Sequence, residues 1–151
     1  MHTFLAVEPC DYEIRGLYRF ATLKDTGLAE ALADVWPDQP RLLMVAADPA
    51  DVTTTENLAI DLASALTKAG RGVGEVRVLE QDTAEHAAPL LAGAPVVVLA
   101  DGDDETRAAF YADINLADCL AAADENVVLI ALDAAALTAA GLAVPADRTF
   151  G

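Results

Sequence analysis

The chain has 151 residues, the size of one domain, and at that length about 70% of the unfolded surface can be buried in a self-supporting core. Its hydrophobic content of 54% is broken into short runs, none long enough for a bilayer span. A formal charge of −16, from 25 acidic against 9 basic residues, repels phosphate and anionic headgroups, which excludes ordinary nucleic-acid and membrane-surface binding.

The acids are scattered through helical segments and read as a solvated acidic surface, not as a phosphate-like array. The opening MHTFLAVEPC has no basic stretch ahead of an export-type apolar segment, so a cytoplasmic protein is expected. Cys10 and Cys119 are too few and too far apart for a disulfide framework or a zinc site, and both are read as core thiols.

Taken in order, Thr3 to Val7 reads as a strand. Glu8 to Lys24 reads as an irregular loop whose Tyr12, Tyr18 and Phe20 pack over an edge of the sheet. Asp25 to Trp36 has a helical face of Leu28, Ala31, Leu32 and Val35, closed by Pro37. RLLMVAA, Arg41 to Ala47, is apolar on both sides, as a central parallel strand must be. A capped helix follows from Asp51 to Ala69, with Gly70 as its stop, and Glu75 to Leu79 is the next strand. Thr83 to Leu91 reads as a short helix, Pro95 to Ala100 as a strand and Asp104 to Ala123 as helical. A strand from Val127 and a helix from Ala134 complete the pattern.

Strand and helix alternate because parallel neighbours need crossover connections. The expectation is one α/β domain over residues 1–151, a three-layer sandwich with a mainly parallel central sheet, flavodoxin-like or class I glutamine amidotransferase-like. In such sheets ligands bind beyond the carboxyl ends of the strands. That rim carries Asp48, Asp82, Asp101, Asp103, Asp104 and Asp133. These carboxylates suit helix caps, and Asp51, Asp104 and Asp133 are expected to serve so. Gly70, Gly72 and Gly74 lie between a helix and the following strand, the wrong end for a phosphate-binding loop, and read as turn residues.

The segments PVVVLADGDDETRAAF and INLADCLAAADENVVLIALDAAALTA resemble, in order and spacing, the corresponding part of the dipeptidase E and cyanophycinase serine peptidases, which have the class I glutamine amidotransferase-like fold. The resemblance covers most of residues 40 to 140. It implies that the nucleophilic serine of the family falls on Asp133, its flanking glycines on Ala131 and Ala135, and the alanine after it on Ala134. It also places Asp101 and Gly102 on the glycine pair of the oxyanion loop.

Each departure removes chemistry. Aspartate has no hydroxyl to attack with, and an anion about 4 Å from a developing oxyanion repels it by about 4 kcal/mol at an effective dielectric near 20. His2 and His86 both precede Asp133, whereas the histidine of the family follows its serine. No catalytic residue, cofactor or metal site is therefore assigned. The expectation is a degenerate, shortened and non-catalytic relative of these peptidases, a pseudoenzyme acting as a binding or interaction module. Its degenerate site comprises Asp48, Gly102, Asp103, Asp133 and Ala134. Its partners would be a small molecule or a protein, and a sheet edge in need of cover predicts a homodimer. The alternative is a metal-dependent hydrolase or phosphotransferase in which Asp48, Asp103 and Asp133 supply oxygen ligands.

Overall fold

A computed structural model describes residues Met1–Gly151. Six strands form one fully parallel sheet: β1 (His2–Ala6), β4 (Arg41–Val45), β5 (Glu75–Leu79), β6 (Val96–Leu99), β7 (Val128–Ala131) and β8 (Thr149–Phe150). Their order across the sheet is β5-β4-β6-β7-β1-β8. Two further strands, β2 (Cys10–Arg15) and β3 (Tyr18–Leu23), form a separate antiparallel hairpin.

Alternate side chains of each strand point to opposite faces, and both faces are apolar, so two layers must cover them. Phe4, Leu42, Met44, Val96, Val98, Val128 and Ile130 pack under the hairpin, α1 (Leu28–Leu32) and α2 (Val52–Lys68). Leu5, Leu43, Val45, Val97, Leu99 and Leu129 pack under α3 (Ala87–Ala92), α4 (Asp104–Asp113), α5 (Leu116–Ala121) and α6 (Ala134–Ala139). The result is a flavodoxin-like three-layer α/β sandwich, as the alternation of elements predicts.

Helix α2 shows how sequence becomes packing. Asp51 caps it by accepting from the Thr54 N–H at 3.3 Å. Ala59, Leu62, Ala65 and Leu66 then fall on one buried stripe, and each buried leucine contributes roughly 1.5–3 kcal/mol. Gly70, at φ 87°, takes the left-handed conformation that ends the helix.

The fold departs from the sequence pattern in three of its elements. Residues 8–24 are not an irregular loop: they form the hairpin, with Gly16 at φ 63° opening its two-residue turn, and Tyr12, Tyr18 and Phe20 are exposed instead of packed. The helix expected over residues 25–36 is only Leu28–Leu32. It stops because the chain turns to seat Trp36, whose Nε1–H donates to the Gly72 carbonyl at 2.8 Å. Finally, the sheet has a strand that short-range patterning does not show, β8, which adds itself to the far side of β1.

Candidate functional site

The two loops that matter leave β6 and β7, adjacent strands whose carboxyl ends lie side by side. Asp103 begins α4 and Asp133 begins α6, each capping its helix. The Asp103 Oδ2 accepts from the Thr106 N–H at 2.9 Å and from its hydroxyl at 2.8 Å. The Asp133 Oδ1 accepts from the Ala136 N–H at 2.8 Å. The bonds from Thr106, the backbone one foremost, hold the Asp103 carboxyl below the usual carboxylate range. Asp104 is not the cap expected from the sequence: it is the first residue within α4.

Asp133 itself has φ −148° and ψ 160°, an ordinary extended conformation. A nucleophile elbow is a tight, strained turn. With alanines at 131 and 135, the corner has the geometry of a plain helix start.

The other Asp133 oxygen meets a residue that the sequence reading did not single out. Arg107, in the second turn of α4, has no exposed surface. Its Nη2 donates to Asp133 Oδ2 at 2.6 Å and to the Gly102 carbonyl at 3.0 Å, while Nη1 donates to Asp104 Oδ1 at 2.9 Å. The guanidinium thus ties the β6 loop to the β7 loop across the gap between them. A buried charge is tolerated only when paired and hydrogen-bonded in this way. The repulsion expected from Asp133 is accordingly offset by its partner. The corner is thus occupied by the Arg107 side chain, and Asp133 is not an unpaired negative charge.

The remaining predicted residues are also in structural service. Asp48 Oδ1 accepts from the Ala50 N–H at 3.0 Å in the turn after β4. Gly102 passes so close to Ala47 that an added Cβ would lie 2.7 Å from the alanine methyl. Ala134 is the first residue of α6. The structure therefore joins Gly102 and Asp133 through Arg107, and places Asp103 and Ala134 in the same two loops.

No histidine reaches the site. His2 lies beside Val128 at the start of β7, and five residues at about 3.3 Å each separate that level from Asp133. His86 follows β5, three strands away from β7, or about 14 Å at the usual spacing. No three His, Cys, Asp or Glu side chains converge as metal ligands would.

On the opposite face of the same strand ends lies a cleft of about 340 Å³. The chain leaves β1 and β4 toward the hairpin and α2, but leaves their sheet neighbours β7 and β6 toward the other layer. Such divergence opens a crevice at strand carboxyl ends. Glu8, Asp101 and Leu132 line it from the strand ends, Tyr12 and Lys24 from the hairpin, and Leu58 from α2. Glu8 adopts φ 45°, an uncommon conformation for a side chain other than glycine. Cys10 lies at the same cleft, and burial, followed by the Asp61 and Asp11 carboxylates, pushes its thiol up to about 11. The sequence signal for this wall is the aromatic, charge-alternating segment that forms the hairpin.

Comparison with protein-family models, with curated proteins and with solved structures finds no significant match to this chain.

Proposed function

We infer that the protein is a non-catalytic, degenerate relative of the dipeptidase E and cyanophycinase peptidases that works by binding. The observation that carries this reading is the Arg107 guanidinium lodged between the Gly102 carbonyl and the Asp133 carboxylate. In the resemblance, these positions bear the oxyanion loop and the nucleophile. A buried arginine there leaves no room for a scissile carbonyl, and neither histidine lies near enough to position 133 to serve as a base for a nucleophile there.

Binding falls to the cleft on the other face. Its mixed lining of Glu8, Asp101 and Lys24 with Tyr12, Leu58 and Leu132 suits a small molecule carrying both polar and apolar groups. Self-association belongs to the same reading, since the molecule exposes large apolar side chains at Ile14, Leu17 and Tyr18.

Incubation with aspartyl dipeptides tests the catalytic half. The wild type and Asp133→Ser, which restores the hydroxyl, should both show no turnover above buffer. Hydrolysis by either protein, lost in Arg107→Met, would overturn the reading. A small-molecule screen by thermal shift tests the binding half: hits should lose their effect in Tyr12→Ala and Leu58→Asn and keep it in Asp133→Asn.

A further inference from the structure

The hairpin has two outer edges, and only one is closed. Lys24 N–H donates to the Pro9 carbonyl at 2.8 Å, and the register pairs Asp11 with Thr22, Glu13 with Phe20 and Arg15 with Tyr18. In an antiparallel ladder bonded and non-bonded pairs alternate, so those pairs share the inner hydrogen bonds. The backbone groups of Arg19, Ala21 and Leu23 then point outward from β3, and those of Tyr12 and Ile14 outward from β2. The β3 edge is covered by α2, whose Lys68 ammonium donates to the Ala21 carbonyl at 2.8 Å. Tyr12 and Ile14 have no such partner, and the two residues are 45% and 76% exposed.

An open, exposed strand edge is a template for another strand. We propose that β2 pairs antiparallel with β2 of a second copy about a two-fold axis at Glu13, making a four-stranded sheet from two hairpins. This deepens the self-association stated above and rests on it. A two-fold axis normal to the sheet keeps equivalent residues on one face, so the partner residue opposite each position must have the same parity. Centring on Glu13 sets Tyr12 opposite the partner's Ile14 as a bonded pair, which uses the outward N–H and carbonyl groups of both copies.

The side chains select a second copy of this chain as the occupant. Along β2 the charges run Asp11, Glu13, Arg15 on one face. With the axis at Glu13, Asp11 faces the partner's Arg15 and Arg15 faces the partner's Asp11, so the edge is complementary to itself reversed. Moving the axis to Tyr12 would oppose Asp11 to the partner's Glu13, a like-charge pair that is destabilising. The two Glu13 carboxylates meet at the axis, but each is already held by its own Arg15, at 2.8 and 3.0 Å. On the other face Tyr12 packs against the partner's Ile14. The hairpin tip carries Leu17, wholly exposed in one copy, alongside the partner's Pro9.

Light scattering and sedimentation of the full chain at micromolar concentration test this. The wild type should be a dimer. Asp11→Arg and Arg15→Asp should each weaken it about tenfold, since two facing ion pairs become two repulsions, and the double swap should restore it. Ile14→Pro removes an outward N–H while leaving the inner hairpin bonds intact. It should give a monomer with an unchanged far-ultraviolet spectrum. A monomeric wild type overturns both self-association and the edge. A dimer indifferent to all four variants overturns the edge alone, and failure of the double swap to recover association overturns the register.

Discussion

Arg107 and Asp133, 26 positions apart in sequence, lie 2.6 Å apart between Nη2 and Oδ2, with the guanidinium wholly buried and the carboxylate side chain 29% exposed. Removing one partner from such a pair strands the other. Asp133→Asn keeps a good capping side chain but loses the charge, and should cost roughly 1–2 kcal/mol. Asp133→Ala also loses the cap and should cost about 1 kcal/mol more. The double variant Arg107→Met, Asp133→Asn should be more stable than the sum of its singles, because no buried charge is left alone. Urea denaturation of the four proteins measures the coupling, and strict additivity would mean that the contact contributes nothing.

Tyr111 stands one turn after Arg107 and is 3% exposed, and its hydroxyl has no hydrogen-bond partner. Burial raises its ionisation above the ordinary phenol range, with Arg107 pulling the other way. An unsatisfied buried hydroxyl costs roughly 1–3 kcal/mol, so deleting it is favourable. Tyr111→Phe should raise Tm, with a gain of about 1 kcal/mol. A drop in Tm would show that the hydroxyl is satisfied in solution.

Gly102 has no room for a methyl group, because its Cβ would come within 2.7 Å of the Ala47 Cβ. Gly102→Ala should cost roughly 1–3 kcal/mol by overpacking. Adding Ala47→Gly should return part of that loss. If Gly102→Ala is silent, the β6 loop moves more freely than its packing implies.

Cys10 is held as a thiol. With its ionisation raised from 9.0 to about 11, the thiolate fraction at pH 8 falls about 100-fold. In a Cys119→Ser background, Cys10 should therefore react with Ellman's reagent far more slowly folded than in urea. The folded state binds its proton more tightly than the unfolded one. The associated stability is thus full below pH 9.0 and declines as pH rises through about 11. Equal rates folded and unfolded would show the thiol to be freely accessible.

The central layers were legible in the sequence because VVVL and VLIA are short apolar runs rich in β-branched residues and bounded by turn residues, the pattern of a strand covered on both sides. The Asp51 and Asp133 caps were legible for a similar reason: an aspartate three residues ahead of a free helical N–H has one obvious use. The hairpin was hidden by its turn. Gly16-Leu17 lacks the asparagine or aspartate that marks most two-residue connections, although Asp11, Glu13 and Arg15 do alternate with Tyr12 and Ile14. Arg107 escaped because arginine within an acidic helix normally faces water. The sign that could have found it is its isolation as the one basic residue between Arg77 and Arg148. Strand β8 spans two residues, too few for any period to register.

The place of β1 in the sheet has a consequence for biosynthesis. The second residue of the chain finds its neighbour at Val128, and β8 closes the other side of β1 only at Thr149 and Phe150. At ordinary elongation speed the apolar first strand waits roughly 6–25 s for its partners to emerge from the ribosome. Such distant pairing slows the final collapse. During that interval the hairpin, complete by Leu23, and then β4, β5 and β6 can pair among themselves, while β1 alone stays without a neighbour.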